Sequence, residues 1–200
     1  MVEQAYTQLK LYRSHLQSST SGSWRHVVGG ESFTDAGLWN TGNGWAAHGI
    51  VRVLATMQNS EWNATFADEK ADLATWATEI LTSAFSHIKV RPFFLSSSSQ
   101  GRSRSSRSTS SSSQSDGLLP NYYDSASGSS FSDAAGSALL AASAYRLAQL
   151  DGTSSSYLIN SAATIRSAVN SKISSSTGWV SPVVVRPAFP LFVLLLESLR

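Results

Sequence analysis

The residues of this sequence best suited to chemistry lie at the entrance to one helical segment. Residues 38–57 read LWNTGNGWAAHGIVRVLATM, and Asn43 and Trp45 stand where the helical pattern begins. An amide and an indole at a helix mouth suit ligand binding, because binding pockets combine aromatic faces with a few polar groups. The same pair suits a structural role, with the tryptophan in the core and the asparagine as helix cap.

Further candidate side chains lie just upstream of this helix. Asp35 is the only aspartate between His26 and Trp45, and it is a candidate acid or base. Asp35 also matches Asp133 in an internal repeat, and Asp133 precedes another helical pattern. This match favours a capping role for both aspartates. Trp39 suits a ligand site and a core position equally.

The sequence predicts neither a metal site nor a cofactor. His26, His48 and His87 have no imidazole or acidic partner at ligand spacing. His48, which has small apolar neighbours, fits a packed histidine on an inner helix. The sequence lacks cysteine, which excludes thiolate chemistry. It also lacks a nucleophile elbow, a phosphate loop and a dinucleotide fingerprint.

The composition describes a globular chain whose positive charge is local. With 42% hydrophobic and 14% charged residues, we expect one domain over residues 1–200. Residues 96–115 hold 13 serines and three arginines, which predicts a disordered low-complexity insertion. Without those three arginines, 12 of the 15 basic residues remain against 13 acidic residues, so we expect no nucleic-acid partner. An RNA-binding Arg/Ser segment is the alternative.

Hydrophobic spacing predicts an all-α chain. Apolar residues recur at intervals of three and four, and the sequence shows no alternating strand of useful length. The predicted helices span 2–17, 44–57, 68–88, 132–150, 154–173 and 189–199. The longest apolar stretch falls short of the roughly 20 residues that cross a bilayer, so we expect no membrane partner.

One unit of this pattern occurs twice. Residues 42–54, GNGWAAHGIVRVL, align without gaps with residues 136–148, GSALLAASAYRLA. Each copy follows a polar loop and precedes a more amphipathic helix. Helices rich in Ala, Gly and Ser pack closely, so we expect these two to form an inner layer. The loops before them would then gather at one mouth, where we expect function.

The motifs, taken in order, resemble a known family. GSWRHV, DAGLWNTGNGWAAHGIVRVLATM, GLLPNYYD, FSDAAGSALLAASAYRLAQL and GWVSPVV are similar to segments of the six-hairpin glycosidases. Within that fold they resemble the fungal branch of the unsaturated rhamnogalacturonyl hydrolases, glycoside hydrolase family 105. The resemblance implies an (α/α)6 toroid, of which this chain would form an incomplete ring of about half.

The resemblance also implies an activity and a binding site. Such enzymes hydrolyse pectin-derived oligosaccharides by hydrating the unsaturated uronic sugar, with an aspartate as general acid and base. His26, Asn43 and Trp45 match residues near the sugar in that family, with Trp39 beside them. Thr41 stands where the family motif has an arginine, a change that would weaken recognition of an anionic sugar.

Two expectations concern the chain as a whole. The resemblance places the catalytic aspartate of the family before the segment that matches residues 3–16, so we expect the 200 residues alone to be inactive, with Asp35 as the remaining catalytic candidate. The alternative is a non-catalytic helical-hairpin module that binds carbohydrate or protein, and an open toroid edge would favour self-association. Members of the family are often secreted, whereas Met1 leads directly into a helical pattern without a signal peptide, so localisation stays open.

Overall fold

A computed structural model describes residues 2–88, 116–125, 130–152 and 155–183 of the protein. These residues contain five α-helices joined by loops with isolated β-bridges, which confirms the all-α prediction. The helices are α1 (Val2–Leu16), α2 (Asn40–Gln58), α3 (Ala67–Phe85), α4 (Ala134–Asp151) and α5 (Ser156–Asn170), and a 3-10 helix, Asn63–Phe66, precedes α3. The predicted insertion at 96–115 and the predicted helix at 189–199 lie outside the described residues.

Helix α2 begins at Asn40 rather than at the predicted Gly44. Glycines at positions 42 and 44 lower the helix propensity of this first turn. Tertiary hydrogen bonds offset that loss, since the Thr41 hydroxyl donates to the Asp133 carboxylate over 2.6 Å. Local propensity alone therefore predicts a helix that is too short.

The two helices rich in small residues, α2 and α4, lie side by side. A Cβ atom on Gly136 would lie 2.8 Å from the backbone nitrogen of Thr41, so a larger residue would force the helices apart. Helix α3 packs against both α2 and α4, α1 packs against α2, and α5 packs against α4. This arrangement separates small-residue helices from amphipathic ones, as the sequence predicted.

The hydrophobic core lies between these two sets of helices. Ile50, Leu73, Leu140 and Ile165, one from each of α2 to α5, are fully buried. Helix α1 is attached through a more polar contact, in which the Arg13 guanidinium lies 2.8 Å from a Glu79 carboxylate oxygen. The core thus fixes α2 and α4 relative to each other and, with them, the loops that precede both helices.

The internal repeat is also a structural repeat. Helix α2 starts at Asn40 and α4 at Ala134, which reproduces the register of the sequence alignment. The residues immediately before the helices, Trp39 and Asp133, occupy equivalent positions. We call residues 17–58 the first copy and residues 116–151 the second copy, within the described ranges.

Candidate functional site

The loops before α2 and α4 meet at the N-terminal ends of these helices. The Asn40 backbone N–H donates to the Asn121 carbonyl over 2.8 Å, and the Tyr123 N–H donates to the Leu38 carbonyl over 3.1 Å. We call the joined surface of residues 24–45 and 116–133, within the described ranges, the mouth. The loops of the two copies therefore gather at one end of the helices, as the repeat predicted.

A hydrogen-bonded His–Asp–Tyr cluster lies on the mouth. Oδ2 of Asp35 lies 2.8 Å from Nδ1 of His26 and accepts a 2.6 Å hydrogen bond from the Tyr122 hydroxyl. Oδ1 of Asp35 accepts the backbone N–H of Gly37 over 2.9 Å. Because His26 and Asp35 belong to the first copy and Tyr122 to the second, the cluster forms where the two loops meet.

The donors around Asp35 stabilise its ionised form. The Tyr122 hydroxyl, and then His26, lower the pKa of Asp35 below its usual value of 3.8. Burial and the neighbouring carboxylate raise the pKa of Tyr122 well above its usual 10.0, so its hydroxyl keeps its proton. At neutral pH Asp35 is therefore a hydrogen-bond acceptor and a poor proton donor.

Aromatic side chains extend this polar cluster. The Trp39 ring lies against the His26 ring with centroids 4.4 Å apart, and its indole N–H donates to the Asn121 side chain over 3.0 Å. Trp45, in the second turn of α2, is 64% exposed. An aromatic face beside directional polar groups, as at Trp39 and His26, suits a ligand with both apolar and hydroxyl surfaces, such as a sugar ring.

Asn43 lies beneath the mouth, where it is 1% exposed. Its side-chain oxygen accepts the Trp24 N–H over 2.7 Å, and its amide donates to the carbonyls of Trp24 and Trp39, each over 2.9 Å. The suggested capping role is wrong, because Asn43 lies inside α2 and its side chain accepts from a loop residue rather than from the helix. Asn43 anchors the loop that carries His26.

The capping interpretation of the two aspartates is confirmed for one and wrong for the other. Asp133 directly precedes α4 and accepts the backbone N–H groups of Ala135 and Gly136. Asp35 lies too far upstream to cap α2, whose N-cap position is Trp39. The gap-free alignment explains the difference, since it pairs Asp133 with Trp39.

A buried polar network supports the mouth from below. The Tyr123 hydroxyl donates to the Asn40 side-chain oxygen over 2.7 Å, and the Asn40 amide donates to Asp133 Oδ2 over 3.0 Å. The same Asp133 oxygen accepts the hydroxyl of Thr41. Thr41 is thus a structural partner of a buried carboxylate.

Other predicted positions lie apart from the cluster. His48 is half-buried on α2, and its Nδ1 atom is buried without a hydrogen-bond partner among the described residues. The described ranges contain no group of three potential metal ligands. Across the same ranges, no helix is both long and apolar enough to span a membrane.

The sequence patterns did not single out Tyr122 and Asn121. Both belong to GLLPNYYD, one of the motifs that carry the family resemblance, but no role was predicted for either residue. Their partners Asp35 and Trp39 lie more than 80 positions away in the chain. The internal repeat was the one sequence feature that could have indicated these contacts, because it predicts that the loops before α2 and α4 lie together.

Comparisons with known proteins bear on the fold. No family model and no curated protein matches the chain. Among solved structures, a possible member of the GH105 family from Salmonella enterica serovar Paratyphi A matches with a TM-score of 0.67 and 16% identity, over 92% of this chain and 41% of that one. A polysaccharide lyase matches with a TM-score of 0.60 and 11% identity, over 90% of this chain and 43% of that one. The unsaturated glucuronyl hydrolase from Bacillus sp. GL1, described as responsible for the degradation of glycosaminoglycan, matches with a TM-score of 0.57 and 17% identity, over 92% and 44%.

At these identities the likeness establishes the fold. The five helices form part of an (α/α)6 toroid, as the sequence resemblance implied. The chain covers 41% to 44% of the length of these three structures. Because the same toroid carries hydrolases and a lyase, the chemistry has to be argued from the mouth.

Proposed function

We propose that the protein is a glycoside hydrolase of the unsaturated rhamnogalacturonyl hydrolase type. Its mouth would bind the unsaturated uronic end of a pectin-derived oligosaccharide, with His26, Trp39 and Trp45 in contact with the sugar. Two separate kinds of observation support this proposal. The motif resemblance rests on residue identities, whereas the toroid likeness rests on the path of the backbone.

The observation that carries the proposal is the cluster of His26, Asp35 and Tyr122 at the junction of the two loops. A sugar ring presents hydroxyl groups around an apolar face, so it needs directional polar partners beside an aromatic plane. The cluster supplies the polar groups, and Trp39 and Trp45 supply the aromatic planes. Asn43 contributes indirectly, as the anchor of the loop.

Within this proposal Asp35 belongs to the binding site and is not the general acid. Hydration of the unsaturated sugar requires a proton donor, and a carboxyl group is an efficient donor at neutral pH when its pKa is raised. The pKa of Asp35 is lowered by its hydrogen-bond donors. We therefore propose substrate binding for the mouth and assign proton transfer to none of the described residues.

Calorimetric titration of the full chain with an unsaturated rhamnogalacturonan disaccharide tests this assignment. Trp45→Ala should weaken binding by roughly tenfold, because it removes an aromatic contact. The matched control is Trp62→Ala, which removes a 55% exposed tryptophan between α2 and α3, at the far end of the molecule. Absence of binding by the unaltered chain, or equal weakening by both substitutions, would contradict the proposed site.

Absorbance of the enol ether separates the reaction classes. Hydrolysis of an unsaturated oligosaccharide destroys this chromophore, whereas a lyase acting on a saturated polymer creates it. Loss of absorbance from the unsaturated substrate would support the hydrolase. Binding without either change is the outcome we expect of these 200 residues alone, and a non-catalytic carbohydrate-binding module would give the same result. A sedimentation coefficient that rises with concentration would reveal self-association.

A further inference from the structure

The carboxylate of Asp35 has three hydrogen-bond partners, only one of which belongs to the local turn of the chain. It accepts from the Tyr122 hydroxyl, from the Gly37 backbone N–H and from His26 Nδ1. An Asx turn is complete once the carboxylate accepts the N–H two residues on, so the hydrogen bonds from Tyr122 and His26 go beyond that turn. The additional donors converge on Oδ2, the oxygen that faces His26.

This arrangement determines which nitrogen of His26 carries the proton. An ionised carboxylate only accepts hydrogen bonds, so the contact of 2.8 Å requires a proton on Nδ1. In the neutral ring Nε2 then carries a lone pair. Within the described residues Nε2 makes no hydrogen bond, and the side chain of His26 keeps 31% of its surface exposed.

We propose that Asp35 and Tyr122 are positioning residues that hold His26 as the Nδ1–H tautomer, so that Nε2 accepts a hydrogen bond from a hydroxyl group of the bound sugar. This inference rests on the proposed function, since it names the group that the mouth recognises. It assigns recognition of a neutral hydroxyl to His26, rather than recognition of the sugar carboxylate.

Packing fixes the ring of Tyr122 in the position that this role requires. A Cβ atom on Gly37 would lie 2.7 Å from two carbons of the Tyr122 ring, so the ring lies directly on the backbone of the first loop. The His26 ring in turn lies against the Trp39 ring, with centroids 4.4 Å apart. The imidazole therefore has a fixed plane from Trp39 and a fixed rotation from Asp35.

The tautomer can be measured without any sugar. Long-range proton–nitrogen correlation NMR of the imidazole rings distinguishes a protonated from an unprotonated nitrogen. In the full chain near pH 8 we expect His26 to show a protonated Nδ1 and a bare Nε2. A predominant Nε2–H form would overturn the inference, whatever the chain binds.

Sugar titrations then test the consequence of this tautomer. Asp35→Asn can offer its amide N–H groups to Nδ1 and so permit the Nε2–H tautomer, and we expect it to weaken binding roughly tenfold. Glu31→Gln, an exposed carboxylate in the same loop, is the matched control and should leave the affinity within about twofold. Tyr122→Phe should show a smaller loss than Asp35→Asn, with Tyr12→Phe on the exposed face of α1 as its control.

The double variant separates positioning from a direct contact. In a His26→Ala background, Asp35→Asn should add little further loss, because its effect passes through the imidazole. Full additivity of the two losses would overturn the positioning role. If the unaltered chain binds no sugar, the proposed function fails. If it binds sugar but Asp35→Asn behaves like Glu31→Gln, the proposed function survives and this inference fails.

Discussion

The two copies of the repeat solve the same structural problem with different residues. In the first copy, Asn43 anchors the incoming loop by pairing with Trp24 and with the carbonyl of Trp39. In the second copy, the equivalent Ser137 accepts the Leu119 N–H over 3.0 Å and donates to the Asp133 carbonyl over 2.6 Å. A position that distinguishes the copies in sequence is therefore equivalent in structure.

A real difference between the copies lies two residues further along each helix. Trp45 of α2 is exposed, whereas its equivalent Leu139 packs against Gly44, where a Cβ atom would lie 3.3 Å from that of Leu139. The first copy thus exposes an aromatic side chain at this position, whereas the second copy uses the position for helix packing. Asp133 is the second difference, since it caps α4 and also holds the first turn of α2.

Removing the Asp133 carboxylate should have the largest effect on the contact between the two copies. Asp133→Ala leaves the Thr41 hydroxyl and two N–H groups of α4 without their acceptor, and it leaves the Asn40 amide with only its 3.3 Å bond to the carbonyl of residue 133. We expect the free energy of unfolding to fall by roughly 3 kcal/mol. Urea unfolding followed by circular dichroism measures this loss. Hydrogen exchange should accelerate in the first turns of both α2 and α4.

The hydrogen-exchange pattern shows whether Asp133 stabilises α4 alone or both helices. If acceleration were confined to α4, Asp133 would act as an ordinary helix cap, and the two helix starts would be independent. Glu31→Ala, which removes an exposed carboxylate, should change the free energy of unfolding by less than about 0.5 kcal/mol.

The two anchors allow a more direct comparison of the copies. Asn43→Ala should reduce the free energy of unfolding by about 2 to 3 kcal/mol, because it leaves buried N–H and C=O groups of Trp24 unpaired. Ser137→Ala removes fewer hydrogen bonds and should reduce it by about 1 to 2 kcal/mol. Denaturant midpoints of the two variants, measured side by side, give the order.

The substitution Asn43→Ser places the residue of the second copy into the first. Since serine is shorter but offers the same acceptor and donor types, we expect a loss between zero and that of Asn43→Ala. A loss equal to that of Asn43→Ala would mean that a serine at position 43 cannot reach the Trp24 backbone, so the two anchors hold their loops at different distances.

The sequence was a better guide to the helices and their layers than to the site. Apolar spacing predicted the five described α-helices, because a helix that buries one face carries an apolar residue every three or four positions. The start of α2 was wrong because bonds from Asn40 and Thr41 to a residue over 90 positions away override weak local propensity. Residue type marked Asn43 as functional, although only its burial reveals that it is an anchor.

The cluster of His26, Asp35 and Tyr122 shows the limit of sequence patterns most clearly. The resemblance pointed to His26, and residue type pointed to Asp35. Tyr122 had no signal of its own, because its importance comes from the meeting of two loops across 87 positions of chain. A repeat fixes which loops correspond, but the side chain that crosses between them is set by tertiary packing.

The bond between Tyr122 and Asp35 should make the smallest contribution, and its pH dependence identifies its nature. The folded-state pKa of Asp35 lies below its usual 3.8, so the stabilisation is complete above that value and is lost as pH falls through the lower pKa of the folded protein. The carboxylate is 24% exposed, so we expect Tyr122→Phe to reduce the free energy of unfolding near pH 7 by at most about 1 kcal/mol. Urea unfolding at neutral pH and below pH 3.8 should show this difference shrinking on acidification, while the difference for the exposed Tyr157→Phe stays constant. A difference near zero at both pH values would mean that the ring of Tyr122, which phenylalanine retains, joins the two copies by packing on Gly37, and not through the ionised carboxylate.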